Sequence, residues 1–423
     1  MRDNALAREL LRSGHEVTIA PMYLPLTLDE TALAGLETTP IFFGGINVYL
    51  QQKLPFFRKT PAFFDRLLNT TGLLRWAARH SHMTSAREHG QMTLEMLQLE
   101  SSRFRKEWEK LMGWLEQTEK PDVICLSTAL LAGFSAEMKK RLRAPVVLFF
   151  QGEDAFLDGL PEPYRSRCWA ALAKQLPEAD LLLAPSRFYA SLMRSRLQLP
   201  AHVIEVVPNG IDLSNYVPAE PWSGTPTIGY LARMVREKGL ELLVEAFLVL
   251  TSELGDRTTR LKIGGAATAG DEPLLAELRR RLEQAGVASR VEWSPNLTLE
   301  QKTAFLRSLT LFSVPAVYAE AFGLYVIEAM ATGIPVVQPE ASAFPEIIGA
   351  AGGGVCVPPR DPRALALAWQ QLLADPAQCR ALGAAGRLSV EKHFNARTMS
   401  RQFCEAAGRL RKPALDAIIP NSP

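Results

Sequence analysis

Short apolar runs rich in β-branched residues recur along this chain between longer segments of helical period. That alternation specifies strands of a parallel sheet joined by crossover helices. In the first half the runs fall at 16–20, 123–127, 145–150, 181–184 and 203–207; in the second they fall at 227–231, 260–263, 291–293, 309–314, 335–338 and 354–357. Two α/β domains are therefore expected. Between them PNGIDLSNYVPAEPWSG (208–224) is dense in Pro, Asn, Gly and Ser, which is linker composition. The expected division is a first domain over 1–215, a second over 216–395, and a helix and tail over 396–423 that packs back toward the first.

Residues 40–120 break the alternation and read as an insertion in the first domain. Aromatic, basic and Gly/Pro positions mix there, after which Leu97, Phe104, Trp108, Leu111 and Leu115 mark one face of a single long helix. Packing of an extra helical layer is the expected use of that face, because apolar helix faces are usually core. An acceptor- or membrane-facing surface is the alternative.

Candidate chemistry concentrates in VPAVYAEAFGLYVIEAMATGIPVV (314–337). A strand ends near Val314, a loop carries Glu320, Phe322, Gly323 and Leu324, and a helix begins there. Free amides at a helix start bind anions such as a diphosphate, and Gly323 lets the backbone come close to one. Glu328, in the first turns of the helix, can accept from hydroxyls attached to that anion. A helix cap and a solvated surface charge are the bland alternative for this pair. Upstream, in IGYLARMVREKGLELLVEAF (228–247), Arg233 and Lys238 stand at the carboxyl end of a strand, where α/β proteins place ligands. They are suited to neutralise a diphosphate leaving group, whereas Arg236 in the same loop reads as solvated.

These residues together resemble family 4 glycosyltransferases, retaining nucleotide-sugar-dependent enzymes of GT-B fold with two facing Rossmann-like domains and a cleft between them. The resemblance rests on Pro208-Asn209-Gly210-Ile211-Asp212, on Gly229 through Arg233 to Lys238-Gly239, on Glu320 with Phe322-Gly323, on Glu328 through Val337, and on Glu346. It implies that Glu320 contacts donor-sugar hydroxyls and Glu328 the ribose. Arg233 and Lys238 hold the diphosphate, helped by the amides of Phe322, Gly323 and Leu324. It implies a nucleotide-sugar donor as substrate, a sugar, lipid-linked or small-molecule acceptor, and no metal or other cofactor.

The chain departs from the family pattern in two places. Where many members carry a His that reaches the donor sugar, this chain has Phe150-Gln151-Gly152-Glu153-Asp154. Gln151 can hydrogen-bond a hydroxyl but cannot carry a positive charge. Glu153 and Asp154 read equally as acceptor-binding groups or as a solvated loop. The chain also opens inside a helix, MRDNALARELLRSG, so the first domain is expected without the family's initial strand and Gly-rich loop.

Composition narrows the partners. Lys+Arg 47 against Asp+Glu 45 gives a net charge of +2 with no basic half, which argues against a nucleic-acid binder. Five scattered cysteines without a Cys-x-x-Cys pair suggest neither a disulfide framework nor a structural zinc. Charges at Arg2, Asp3, Arg8 and Glu9 interrupt any signal-peptide core, and the longest uncharged stretch, 38–52, has 15 residues against roughly 18–20 for a membrane span. A cytoplasmic enzyme is expected, with peripheral membrane contact through the aromatic and basic segment 50–80 as an option. The leading alternative is a catalytically inactive sugar-nucleotide-binding module. A doubly wound oxidoreductase is disfavoured, since the glycines at 349–354 precede a strand instead of following one.

Overall fold

The computed structural model describes residues 2–20, 86–99, 104–118, 120–220 and 224–410. The chain divides into two compact units. One comprises Ala7–Ala184, Leu192–Val206 and Arg401–Pro423; the other comprises Met1–Leu6, Pro185–Ser191 and Val207–Ser400.

The first unit holds a four-stranded parallel sheet in the order β1 (Ile124–Leu126), β2 (Val146–Phe149), β3 (Leu181–Ala184), β4 (Ile204–Val206). Val147 lies opposite both Cys125 and Leu181. Strands β2 and β3 are buried along their whole length, as strands covered on both faces must be. In chain order the helices to this point are α1 (Arg2–Arg12), α2 (Ala86–Leu97), α3 (Arg105–Leu115), α4 (Ser135–Leu142), α5 (Glu153–Asp158), α6 (Tyr164–Gln175) and α7 (Arg187–Leu197).

Two sequence expectations change here. The run 16–20 forms no strand: Val17 and Ile19 stay half-exposed, and no ladder partner stands beside them among the described residues. The expected single helix bearing Leu97 and Leu115 is instead two helices, α2 and α3. Its apolar face is packing all the same. Leu97, Phe104, Trp108 and Leu111 are buried, and the Trp108 ring stacks on Phe134 at 4.8 Å. Residues 40–85 of the expected insertion lie outside the described residues.

The second unit holds a six-stranded parallel sheet built from β5 (Thr227–Leu231), β6 (Arg260–Gly265), β7 (Val291–Pro295), β8 (Leu311–Phe312), β9 (Val336–Pro339) and β10 (Gly354–Val357), in the order β10-β9-β8-β5-β6-β7. Its helices are α8 (Leu240–Leu248), α9 (Glu272–Gln284), α10 (Leu299–Arg307), α11 (Leu324–Ala331), α12 (Phe344–Ala351), α13 (Pro362–Ala374) and α14 (Pro376–His393), and α15 (Ala396–Gly408) begins in it and from Arg401 on belongs to the first unit. The order reverses between β5 and β8, which makes the carboxyl ends of those two strands the switch point where such sheets bind ligands. Of the apolar run 309–314, all buried, only Leu311 and Phe312 are strand. Beyond them Ser313 donates its hydroxyl to the Val337 carbonyl, and the Val314 amide goes to Gln338 Oε1, so side chains replace the ladder on the β9 side and release the chain into the loop carrying Glu320.

The Pro/Gly-rich stretch after β4 is tied down. The Ile211 amide donates to the Phe394 carbonyl at 3.0 Å and the Ala396 amide to the Ile211 carbonyl at 2.9 Å. At the other end of α15, the Phe403 ring stacks on Phe149 of β2 at 5.8 Å.

Candidate active site

At the switch point, loops after β5 and β8 bring three of the sequence-selected residues together. Glu320 is buried at 8% exposure, and its Oε2 accepts from Lys238 Nζ at 2.5 Å, Tyr318 hydroxyl at 2.7 Å and Tyr325 hydroxyl at 2.8 Å. No donor reaches Oε1 among the described residues. Burial first, then the Glu320 charge, pushes the Tyr325 phenol well above its ordinary pKa, so it stays a donor. The Lys238 ammonium also donates to the Tyr318 hydroxyl and lies 4.8 Å and 5.1 Å from the centroids of the Tyr318 and Tyr325 rings. Both tyrosines escaped the sequence reading, although their positions at −2 and +5 from Glu320 were the available signal.

Two glycines make this approach possible. A Cβ on Gly239 would lie 1.8 Å from the Pro315 carbonyl oxygen, so only glycine brings the Lys238 turn against the β8 loop. Gly323 has φ +88° and forms the start of α11, with no side chain capping the amides that follow. Phe322 is buried and its ring packs edge-on against Phe394 at 6.0 Å, which seats the loop; Leu324 opens the helix.

Glu328, one turn further along α11, is 2% exposed. Its Oε1 accepts from Lys302 Nζ at 2.6 Å and from the Tyr216 hydroxyl at 2.9 Å. Glu328, Lys302, Tyr325 and Leu324 line a cavity of about 530 Å³ whose other walls come from Leu231 to Ala232, Gly265 to Ala266 and Asn296 to Leu297. Asn296 is committed to that wall, exchanging two hydrogen bonds with the Ala267 backbone. Lys302 and Tyr216 come from remote segments and carried no sequence signal.

The two loop arginines part company. Arg236 pairs with Glu241 and Glu277 on the exposed side. Arg233 is exposed and enters no ion pair among the described residues. Glu346 turns out to be a helix cap, accepting from the Arg187 and Phe188 amides at 3.1 Å and 3.2 Å.

In the four-stranded unit, Gln151 and Glu153 follow β2. Glu153 is not a solvated loop residue: it is 4% exposed and accepts four hydrogen bonds from its own unit. Asp154 is buried at 9%. Gln151 Nε2 is buried with no partner among the described residues. His89 is exposed.

Comparison with known proteins gives the family and the fold. Residues 4–215 match the profile of Glycosyltransferase Family 4, and residues 217–389 match that of Glycosyl transferases group 1. The chain belongs to glycosyltransferase family 4. Its fold is GT-B. Similar solved structures include a sucrose-phosphate synthase from Thermosynechococcus elongatus (TM-score 0.62, 21% identity, 73% of this chain and 77% of that one). A glycosyltransferase from Rickettsia africae has TM-score 0.61 at 15% identity and covers 97% of this chain and 95% of its own. HepE from Anabaena, solved with UDP, has TM-score 0.61 at 18% identity over 72% of this chain and 82% of that one.

Among curated relatives, a GDP-mannose-dependent α-(1-6)-phosphatidylinositol monomannoside mannosyltransferase of Mycolicibacterium smegmatis is 27% identical over 54% of this chain and 62% of that protein. An MMP α-(1→4)-mannosyltransferase of Mycolicibacterium hassiacum is 31% identical over 55% of this chain and 54% of that protein. The chain thus spans less than two thirds of these relatives. No helix among the described residues is long and apolar enough to cross a membrane.

Proposed function

We propose that this glycosyltransferase moves a sugar, with retention of configuration, from a nucleoside-diphosphate sugar to an acceptor hydroxyl. The observation that carries the reading is a carboxylate-lined cavity set beside a charge cluster at the switch point of the six-stranded sheet. Glu328 and Lys302 in a cavity of about 530 Å³ suit a nucleoside, and Glu328 is assigned to its ribose hydroxyls. Glu320, held by three donors on one oxygen, offers Oε1 to hydroxyls of the sugar. An ammonium has three N–H groups, so Lys238 can take a phosphate oxygen while keeping Glu320 and Tyr318. Arg233 and the amides opening α11 supply the remaining positive field.

On this reading the acceptor oxygen bonds to the anomeric carbon on the face from which the diphosphate oxygen departs, and the acceptor proton passes to a phosphate oxygen of the leaving group. The charge that develops there is met by Arg233, Lys238 and helix amides, so the chemistry is assigned no metal. The relative that uses GDP-mannose and the neighbour bound to UDP support a nucleotide-sugar donor and leave the base to experiment. A sugar, a lipid-linked sugar and a small hydroxylated molecule are the acceptor classes to try.

Turnover of UDP-, GDP- and ADP-sugars, with the product anomer read by NMR, tests the proposal. Release of nucleoside diphosphate from one donor, with an α-donor giving an α-product, is expected. Tight nucleotide binding with no turnover across donors and acceptors would establish the inactive binding module instead.

A further inference from the structure

One of the two donors on Glu328 comes from outside the sheet and its helices. Tyr216, in the Pro-rich segment after β4, brings its hydroxyl to Glu328 Oε1 at 2.9 Å. Residues 216–220 enter no strand or helix, so this stretch needs an anchor of its own. Two contacts supply it, both at the carboxyl end of α11, the helix that carries Glu328. The Ala219 amide donates to the Thr332 carbonyl at 2.8 Å. Arg387 of α14 donates from Nη1 to the carbonyl of Tyr216 and to that of Ala331, the last residue of α11. Carbonyls at a helix end lack intrahelical partners and carry partial negative charge, so a guanidinium suits them. Glu391, one turn further along α14, accepts from Arg387 Nε and orients the head group. Gly383, one turn earlier, sets the approach: a Cβ there would lie 2.0 Å from the Gly333 carbonyl oxygen, so glycine lets α14 lie directly on the turn that ends α11. The contacts close a ring, from Glu328 along α11 to Ala331, through Arg387 to the Tyr216 backbone, and through the Tyr216 side chain back to Glu328. Every member belongs to the six-stranded unit.

We propose that Arg387 is a positioning residue for the nucleotide: by joining the Tyr216 backbone to the end of α11 it holds the Tyr216 hydroxyl on Glu328 and keeps that carboxylate set for the ribose. Its ligand rests on the nucleotide-sugar reading given above; the clamp itself rests on contacts within one unit. Arg387 touches no wall of the nucleoside cavity, so it acts only through Tyr216 and Glu328. Without the guanidinium, the 216–219 stretch keeps the Ala219 contact alone, and the hydroxyl is no longer fixed over a buried carboxylate.

Calorimetry on the full chain with UDP, GDP and ADP identifies the nucleoside diphosphate to use. Tyr216→Phe keeps the ring, removes the donor and should weaken that affinity about fivefold. Arg387→Met keeps the length, removes the guanidinium and should cost a similar factor. The double variant should cost no more than the larger single loss, the signature of one residue acting through the other. With the matching nucleotide sugar the loss should appear in KM, with kcat within about twofold, because a ribose contact is made equally in the ground and transition states. Losses that multiply in the double variant, wild-type affinity in a folded Arg387→Met, or a loss confined to kcat overturn the proposal. Should Arg387→Met fold poorly, Arg387→Lys retains a cation at the helix end and should give a smaller loss that vanishes when combined with Tyr216→Phe; a loss that persists there counts against the clamp. Amide exchange at Ala219, measured without ligand, should quicken in Arg387→Met. Unchanged exchange sinks the clamp whether or not a nucleotide binds, whereas quickened exchange in a chain that binds none of the three nucleotides upholds the clamp and overturns the nucleotide reading.

Discussion

Glu320 and Glu153 are both buried carboxylates that follow a strand of a parallel sheet, yet they are arranged for opposite ends. Three side chains hold one oxygen of Glu320 and leave the other clear. Glu153 has both oxygens engaged, three of its four donors being backbone amides. A carboxylate held by side chains at one oxygen is oriented for a ligand. One saturated by backbone is a brace, and burial by itself does not tell the two apart.

The comparison breaks first on catalysis. Glu320→Gln keeps the shape and should lower kcat by about 10²–10³-fold with an unchanged melting temperature, as removal of a group that acts in the transition state does. A large stability loss with modest kinetics would make Glu320 another brace. Arg233→Ala should lower kcat by about 10²-fold, whereas Arg236→Ala, in an exposed ion pair worth roughly 0–1 kcal/mol, should stay within a few-fold. Equal effects would erase the distinction drawn between them. In urea titrations Glu153→Ala should cost about 3 kcal/mol, because buried amides lose their acceptor. Glu320→Ala should cost less, and the reverse order would invert the comparison. Smallest, Glu328→Ala should weaken nucleoside-diphosphate affinity about tenfold to a hundredfold and Tyr216→Phe by less, in line with roughly 1.5–3 kcal/mol for a charged hydrogen bond and about 1 for a neutral one. Calorimetry on the same protein checks both.

Much of this was legible along the chain. Gly229 to Gly239 and Glu320 to Glu328 announced the site because a Gly turn, a strand end and a helix start within a few residues leave little choice of geometry. The run 16–20 misled, since a strand pattern becomes a strand only when a neighbour supplies the ladder, and none of the described residues does. Glu153 could not be sorted as a binding group or a solvated one, because the answer depended on Thr128 and Ala129, more than twenty residues away.

Sequence alone determined the α/β class, most strands of both sheets and the position of the charge cluster. Those follow from hydrophobic period and turn chemistry, which act over a few residues. Only the tertiary structure decided which oxygen of Glu320 is held, that Lys302 and Tyr216 converge on Glu328, and that Lys238 stands between Glu320 and two tyrosine rings. Hydrogen bonds and ion pairs join atoms by distance in space, and segments far apart in the chain become neighbours only after the sheet has formed.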